Sequence, residues 1–194
     1  MMYSTRWIPV LAAGMIGACA AAPRQFPHAY ERAGLKTLPP VELVMAGGRQ
    51  LPLAAAQGRW IWLFLGYANC PDICPTTLSY LADAYQRLGT PEKVEVLFVS
   101  VDPERDSPEL LAQHAAYYHP GFLGATARRP VLDALTHALG ANYELGEPQV
   151  VGGSYVVSHP NLIYVIDPQG RLAATYAPGR NAADLARDFD ALTR

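Results

Sequence analysis

The sequence predicts a single α/β domain with a mixed central sheet flanked by helices. Apolar strands and amphipathic helices alternate through the middle of the chain, and a hairpin and a final helix follow them. A length of 194 residues, 51% of them hydrophobic and 16% charged, suits one domain with a sizeable core. The formal net charge of −2 provides no basic surface, which argues against nucleic acid as a partner.

The strands are predicted from apolar runs. The stretch VELVMAGGRQLPL, residues 41–53, predicts a hairpin because two short apolar runs flank a pair of glycines. The stretches RWIWLFLGY, residues 59–67, and VEVLFVSVD, residues 94–102, are nearly continuous apolar runs, as expected of strands covered on both faces. The stretch NLIYVIDPQGRLAATYAP, residues 161–178, predicts a second hairpin with DPQG as its turn.

Four helices are predicted from apolar residues spaced three and four apart. The first follows Pro75 and ends at Gly89, and the second is capped by Ser107 or the aspartate before it. The third stops at Gly140, and the last runs from about residue 181 to residue 192. The apolar faces of the first three helices are marked by Leu78, Leu81, Ala82, Tyr85 and Leu88; by Leu110, Leu111, Ala115 and Tyr118; and by Val131, Leu132, Leu135 and Leu139.

The N-terminus has the pattern of an export signal. Arg6 is the only charge in the first 23 residues, and it precedes a weakly hydrophobic run, residues 7–23, that is short for a membrane-spanning helix. Within this run, IGAC at residues 16–19 resembles a bacterial lipobox. We therefore predict a lipoprotein-type signal peptide over residues 1–19, with lipid attached at Cys19. An uncleaved anchor and a signal cut three residues later are the alternatives.

The segment after the signal is predicted as a tether. Residues 20–38 carry two prolines and show no clear period, which is typical of a tether or an extended arm, and the folded domain is predicted over residues 39–194. An export signal followed by a tether predicts that the body of the protein lies outside the cytoplasm. We expect it on the periplasmic side of a bacterial membrane, held there by its lipid anchor.

The stretch GYANCPDICPTT, residues 66–77, contains Cys70 and Cys74, the only thiols besides Cys19. It lies where a strand ends and a helix begins, where unpaired N–H groups favour thiolates. A structural disulfide here would close a very short loop and stabilise little, so reactivity is the better explanation. Two sulfurs four positions apart suit a redox dithiol or a soft metal ion, and the gap of three residues favours metal somewhat.

A metal ion held by two thiolates needs a third ligand, and histidine is the obvious candidate. His28 lies in the predicted tether, and His114, His119 and His137 are expected to be surface or boundary residues of the second and third helices. His159 precedes a proline and an apolar strand, which puts it on a loop at a strand end. A ligand role and an ordinary loop position both stay open for it on this ground.

Three motifs together resemble the Sco/SenC family of copper-binding proteins, which assist cytochrome c oxidase assembly. A cysteine pair with this spacing is weakly specific by itself, but the three motifs occur in the family's order, and the resemblance covers roughly residues 39–194. The motifs are GYANCPDICPTTL from residue 66, VLFVSVDPERDSPELL from residue 96 and VVSHPNLIYVIDPQGRL from residue 156.

The resemblance implies a thioredoxin-like fold with an inserted hairpin. It implies copper, as Cu(I) or Cu(II), bound by Cys70, Cys74 and His159. The implied role is that of a metallochaperone rather than an enzyme, delivering copper to the CuA-bearing subunit of cytochrome c oxidase, with other periplasmic copper carriers or thiol reductases as further partners. The alternative is a thiol–disulfide oxidoreductase whose cysteine pair cycles between dithiol and disulfide and keeps the acceptor's cysteines reduced.

The chain departs from the family pattern beside its candidate ligands. Ser158 and Pro160 flank His159, where the family often has an acidic residue before and a serine after the histidine, and Asn69 stands where histidine or lysine is common. Neither change removes a ligand. The missing carboxylate is expected to alter how the imidazole is oriented.

Acidic residues near the cysteines have two interpretations each. Asp72, between the cysteines, either caps the start of a helix or tunes the thiolates. The loop containing Asp102, Glu104 and Asp106 either ends a strand and caps the next helix, or takes part in docking a partner.

Overall fold

The computed structural model describes residues 29–53, 58–147, 155–179 and 181–193, with the backbone alone for residues 29–34. The predicted signal peptide, its lipid-attachment residue Cys19 and the first part of the tether, including His28, lie outside these ranges. Within them, every helix is too short or too polar to cross a membrane.

The described residues form ten strands and four α-helices. The strands are β1 Ala29–Thr37, β2 Glu42–Met45, β3 Arg49–Pro52, β4 Trp60–Gly66, β5 Val94–Ser100, β6 Leu123–Thr126, β7 Glu144–Leu145, β8 Val157–Ser158, β9 Ile163–Ile166 and β10 Arg171–Tyr176. The helices are α1 Ile73–Gln86, α2 Pro108–Tyr118, α3 Arg129–Leu139 and α4 Ala182–Leu192.

Eight of the strands form one sheet in the order β1-β10-β9-β4-β5-β6-β2-β3. The three strands β4, β5 and β6 run parallel to one another, and every other pairing in this sheet is antiparallel. Strands β7 and β8 form a separate antiparallel pair between α3 and β9. The predicted α/β class with a mixed sheet is confirmed.

The side chains of β4 alternate between two apolar cores. Ile61, Leu63 and Leu65 face the core that α3 covers, whereas Trp62 and Phe64 face the core formed with α1, α2 and α4. Helices therefore cover both faces of the sheet, which is why the β4 sequence is apolar at successive positions.

The helix ends follow local backbone chemistry. α1 begins at Ile73, three residues before the predicted start, because the N–H groups of a first turn have no intrahelical partner and Pro75 is tolerated there. The hydroxyl of Ser107 caps α2 by accepting a hydrogen bond from the Leu110 amide at 3.2 Å. Gly140 ends α3 with φ of 68°, a left-handed conformation that glycine adopts without strain.

Two strands of the main sheet were not predicted. β1 lies in the segment predicted as a tether, where it pairs with β10 at the sheet edge, so the sheet begins at Ala29 rather than at residue 39. Residues 35–37 are exposed, and this strand joins the sheet through backbone hydrogen bonds without an apolar alternation to mark it. β6 is only four residues long and contains Gly124, a composition that gives little strand signal.

Gly124 allows β6 and α2 to approach closely. A Cβ atom at this position would lie 2.2 Å from the carbonyl oxygen of Leu111 and 2.8 Å from the amide nitrogen of Ala112, both in the backbone of α2. Gly124→Ala is therefore expected to lower the free energy of unfolding by about 1–3 kcal/mol, because the helix must move away from the sheet. Urea unfolding measures this loss. Gly179→Ala is the matched control, since its Cβ would find no atom within 4 Å, and equal midpoints for the two variants would contradict the expectation.

Candidate metal centre

Two cysteines and one histidine meet at one edge of the sheet. Cys70 lies in the loop after β4, Cys74 in the first turn of α1, and His159 directly after β8. One ligand atom from each lies within 4.8 Å of the other two. His159 Nε2 is 3.4 Å from the sulfur of Cys74 and 3.9 Å from that of Cys70.

Strand pairing explains why a histidine so distant in sequence reaches the cysteines. β4 and β9 are antiparallel neighbours, with Phe64 opposite Ile163, so the segment leaving β4 and the segment entering β9 lie at the same edge. A hydrogen bond of 2.8 Å from the Thr77 hydroxyl to Asn161 Oδ1 then joins α1 to the segment that carries His159.

The two sulfurs differ in depth. Cys74 is fully buried and belongs to the core on its side of the sheet, whereas Cys70 is half-buried. Burial raises the pKa of the Cys74 thiol, mainly because a thiolate there loses its hydration. The position at a helix N-terminus was expected to favour a thiolate, and at Cys74 desolvation acts in the opposite direction. A bound cation would provide the charge that stabilises the ionised sulfur.

The ring of His159 is held between two aromatic side chains. Its centroid lies 5.9 Å from the ring of Phe64 and 5.9 Å from that of Tyr67, both edge to face. Burial lowers the pKa of His159, which favours the neutral imidazole that binds metals. Nδ1 lies 3.3 Å from the carbonyl oxygen of Pro160, so a proton on Nδ1 leaves the lone pair of Nε2 facing the sulfurs. A backbone carbonyl thus occupies the role expected of the missing carboxylate.

Asp106 supports the cysteine loop and was not predicted as a site residue. Its carboxylate is buried, and Oδ2 accepts hydrogen bonds from the Ala68 amide at 2.7 Å and the Ser100 hydroxyl at 2.6 Å. It therefore fastens the loop of Cys70 to the end of β5. The only sequence signal for this role is that the loops after the parallel strands β4 and β5 lie at the same sheet edge.

The rest of the acidic loop is also engaged within the protein. Asp102 is buried, forms an ion pair with Arg105 and accepts a hydrogen bond of 2.7 Å from the Tyr155 hydroxyl. The Arg105 guanidinium lies 3.6 Å from the centre of the Tyr155 ring. Glu104 is exposed and pairs with Arg129. The buried carboxylates of Asp102 and Asp106 are thus structural, and they offer no surface to a partner.

The other candidates are not part of this cluster. Asp72 borders the same cavity as Cys70 and His159 but is exposed at the start of α1, and its side chain makes no capping hydrogen bond. His114 packs against Phe98, with ring centroids 5.3 Å apart, and is more enclosed than a surface histidine. In the described part of the chain, Cys70, Cys74 and His159 form the only group of three such side chains close enough to share a metal ion.

The donor atoms suit a soft metal ion. Metal–thiolate and metal–imidazole bonds are about 2.0–2.3 Å long, so one ion can reach atoms separated by the observed 3.4 and 3.9 Å. Thiolates favour Cu(I), and imidazole also suits Cu(II). Fold and site together define a thioredoxin-like domain in which two cysteines and one histidine could hold a soft metal ion.

The chain belongs to the SCO1/SenC family, whose model matches residues 31–194. A Stutzerimonas stutzeri protein described as copper-binding is 34% identical over 139 residues, which span 71% of this chain and 67% of that protein. The human mitochondrial SCO2 homolog is 32% identical over 143 residues, which are 72% of this chain and 53% of the human protein. The chain therefore spans about half the length of the human relative.

Solved structures share the fold. The solution structure of apo Sco1 from Thermus thermophilus matches with a TM-score of 0.73 and 34% identity, over 86% of this chain and 98% of that chain. Bradyrhizobium japonicum ScoI with copper bound matches with a TM-score of 0.72 and 26% identity, over 80% and 98%. The family resemblance and the thioredoxin-like fold predicted from the sequence are confirmed.

Gly66 leaves the space that the sulfur of Cys74 occupies. A Cβ at residue 66 would lie 2.6 Å from that sulfur and 2.7 Å from a ring carbon of Phe98. Gly66→Ala is expected to displace the sulfur, lowering the free energy of unfolding by about 1–3 kcal/mol and weakening metal binding. Urea unfolding of the metal-free protein and competition for Cu(I) with a chelator measure the two effects. Wild-type values for both, as expected of Gly179→Ala, would contradict this account.

Asp106→Ala tests whether the buried carboxylate positions the cysteine loop. The variant leaves the Ala68 amide and the Ser100 hydroxyl without their acceptor, which is expected to cost about 1–3 kcal/mol of stability. Metal affinity is expected to fall about 10–100-fold, the usual effect of losing a supporting partner. Chelator competition checks the affinity, with Glu92→Ala, at an exposed carboxylate in the turn before β5, as the control. Equal affinities in the two variants would exclude the positioning role.

Proposed function

We propose that this protein is a copper metallochaperone. It binds one copper ion through Cys70, Cys74 and His159 and delivers that ion to the CuA centre of cytochrome c oxidase. The observation that carries the proposal is the convergence of three soft or borderline donors at one edge of the sheet. Membership of the SCO1/SenC family and similarity to a copper-bound ScoI structure support copper as the metal.

The residues around the donor atoms have separate roles in holding a cargo ion. Phe64 and Tyr67 pack edge to face against the imidazole, and Asp106 holds the cysteine loop in place. A cavity of about 310 Å³, lined by Tyr67, Cys70 and His159 among others, leaves the site open on one side. Few protein ligands and one open side suit an ion that is passed on by ligand exchange.

The site of action follows from the N-terminal sequence. We propose that the protein is exported and held by lipid at Cys19, on the periplasmic side of a bacterial membrane. The CuA-bearing domain of the oxidase faces the same side. Other periplasmic copper carriers or thiol reductases are further partners, supplying the metal or reducing the cysteines before loading.

Thiol–disulfide exchange is the second candidate function, and the unequal depth of the two sulfurs favours it. The more exposed Cys70 can attack an acceptor's disulfide, and Cys74, whose amide nitrogen lies 3.4 Å from the sulfur of Cys70, can then resolve the mixed disulfide. Two thiols of this protein become one disulfide, and the acceptor gains two electrons and two protons. Such an enzyme needs no histidine.

His159→Ala separates the two functions. In the reduced protein from residue 20 onward, the wild type is expected to bind about one copper ion in competition with a chelator. Loss of the imidazole is expected to weaken binding by more than the 10–100-fold caused by loss of a supporting partner. His137→Ala, a substitution at the exposed end of α3, is the control.

Unchanged copper affinity in His159→Ala would refute the three-ligand site. Rates of thiol–disulfide exchange, measured on the same samples, test the second candidate. They are expected to survive the substitution, because only the two sulfurs take part.

A further inference from the structure

The opening of the metal centre has an apolar border. Ile73 in the first turn of α1 and Val156 just before β8 line the same cavity as Cys70 and His159. Ile73 is 40% exposed and Val156 is 56% exposed. Leu145, which is 42% exposed, lies in β7 and extends the border beyond β8. We call Ile73, Leu145 and Val156 the metal rim.

The metal rim is built from three separate parts of the chain. Single exposed apolar residues are common on protein surfaces, but several around one functional opening mark a surface that another molecule covers. The backbone holds the rim in place, since the Gly146 amide donates a hydrogen bond of 2.8 Å to the Val156 carbonyl oxygen. An ordered apolar border of this kind resembles the dry centre of a protein–protein interface.

The surroundings of the metal rim are acidic. Asp72 lines the cavity, and the exposed residues Glu144 and Glu147 flank Leu145 in sequence. No lysine or arginine is among the described residues that line the cavity. None of these three carboxylates forms an ion pair with another described residue. The surface therefore complements an apolar patch bordered by lysine or arginine.

We propose that the metal rim is the docking surface for the copper acceptor, a protein that presents its metal-binding side chains within an apolar patch bordered by basic residues. This inference rests on the proposed copper delivery. Cys70 and His159 line the same cavity as Ile73 and Val156, so a molecule that covers the rim lies beside two of the three proposed ligands. Ligand exchange requires the acceptor's donor atoms to come within bonding distance of the ion, and the rim is the surface through which they approach.

The transfer itself changes no oxidation state. Each bond from copper to a sulfur or nitrogen of this protein breaks as a bond to a ligand of the acceptor forms. The cysteine sulfurs released here take up the protons that the acceptor's thiols give up. Electrons and atoms balance without a further reactant.

A second copy of this chain is a poor occupant of the same surface. Two copies meeting rim to rim would bring Asp72, Glu144 and Glu147 of each against those of the other, and like charges repel. Three apolar side chains also form a small contact, which suits a transient complex that releases its partner after transfer.

The test compares transfer to a protein with release to a small molecule. Ile73→Asp combined with Val156→Asp is expected to slow copper transfer to the soluble CuA-bearing domain about tenfold or more. Removal of copper by a small Cu(I) chelator needs no docking and is expected to keep its wild-type rate. The control combines Leu110→Asp, at a residue that is also 40% exposed, with Tyr117→Asp, at a residue that is 84% exposed. Both lie on α2, and this control is expected to transfer copper as the wild type does.

Each outcome decides between the alternatives. Wild-type transfer by the rim variant would overturn the docking surface and leave copper delivery intact. Absence of transfer by the wild type would overturn both. If the rim variant also alters release to the chelator, transfer and release are measured instead on the single variant Leu145→Asp, because Leu145 is farther from the ligands. Slow transfer with normal release supports the proposal, and normal transfer overturns it.

Discussion

The antiparallel pairing of β4 with β9 is the constraint on which the metal centre depends. It brings the end of one strand beside the beginning of another that lies about a hundred positions later in the chain. The cysteine loop continues from the first, and the histidine lies four residues before the second. Because backbone hydrogen bonds fix this register, the two segments that carry the candidate ligands meet at the same end of the sheet independently of a bound metal.

Buried polar contacts also hold the cysteine loop in place. The parallel pairing of β4 with β5 places the loop of Asp102 and Asp106 next to the cysteine loop. Buried carboxylates are costly unless they are hydrogen-bonded; here one oxygen of Asp106 binds a backbone amide and a hydroxyl, while Asp102 binds an arginine and a tyrosine. The other oxygen of Asp106 is buried without a hydrogen-bond partner among the described residues. Their burial gives the loop a definite shape. The same burial removes them from the surface, so the acidic character that a partner meets comes from other residues.

Sequence patterns predicted those parts of the protein that depend on burial and on local chemistry. Apolar runs identified β4 and β5, periodic apolar residues identified the helices, and soft donors near a strand end identified the cysteines. Strands such as β1 and β6 were not predicted because they are short or polar and are held by backbone hydrogen bonds to distant partners. The role of Asp106 was not predicted for a related reason, since its hydrogen bond to the Ala68 amide joins positions 38 apart. The residues alone left the role of His159 open, and family resemblance together with strand pairing placed it beside the cysteines.

The two cysteines are buried to different depths, so their sulfurs are not equally accessible from the cavity. Cys70 and His159 line the open cavity, whereas Cys74 is fully buried in the core packed around α1. The three side chains are therefore not equally accessible, and a molecule that enters the cavity reaches Cys70 and His159 before Cys74. An ion held by all three ligands, as we propose, would lose its bond to Cys74 last.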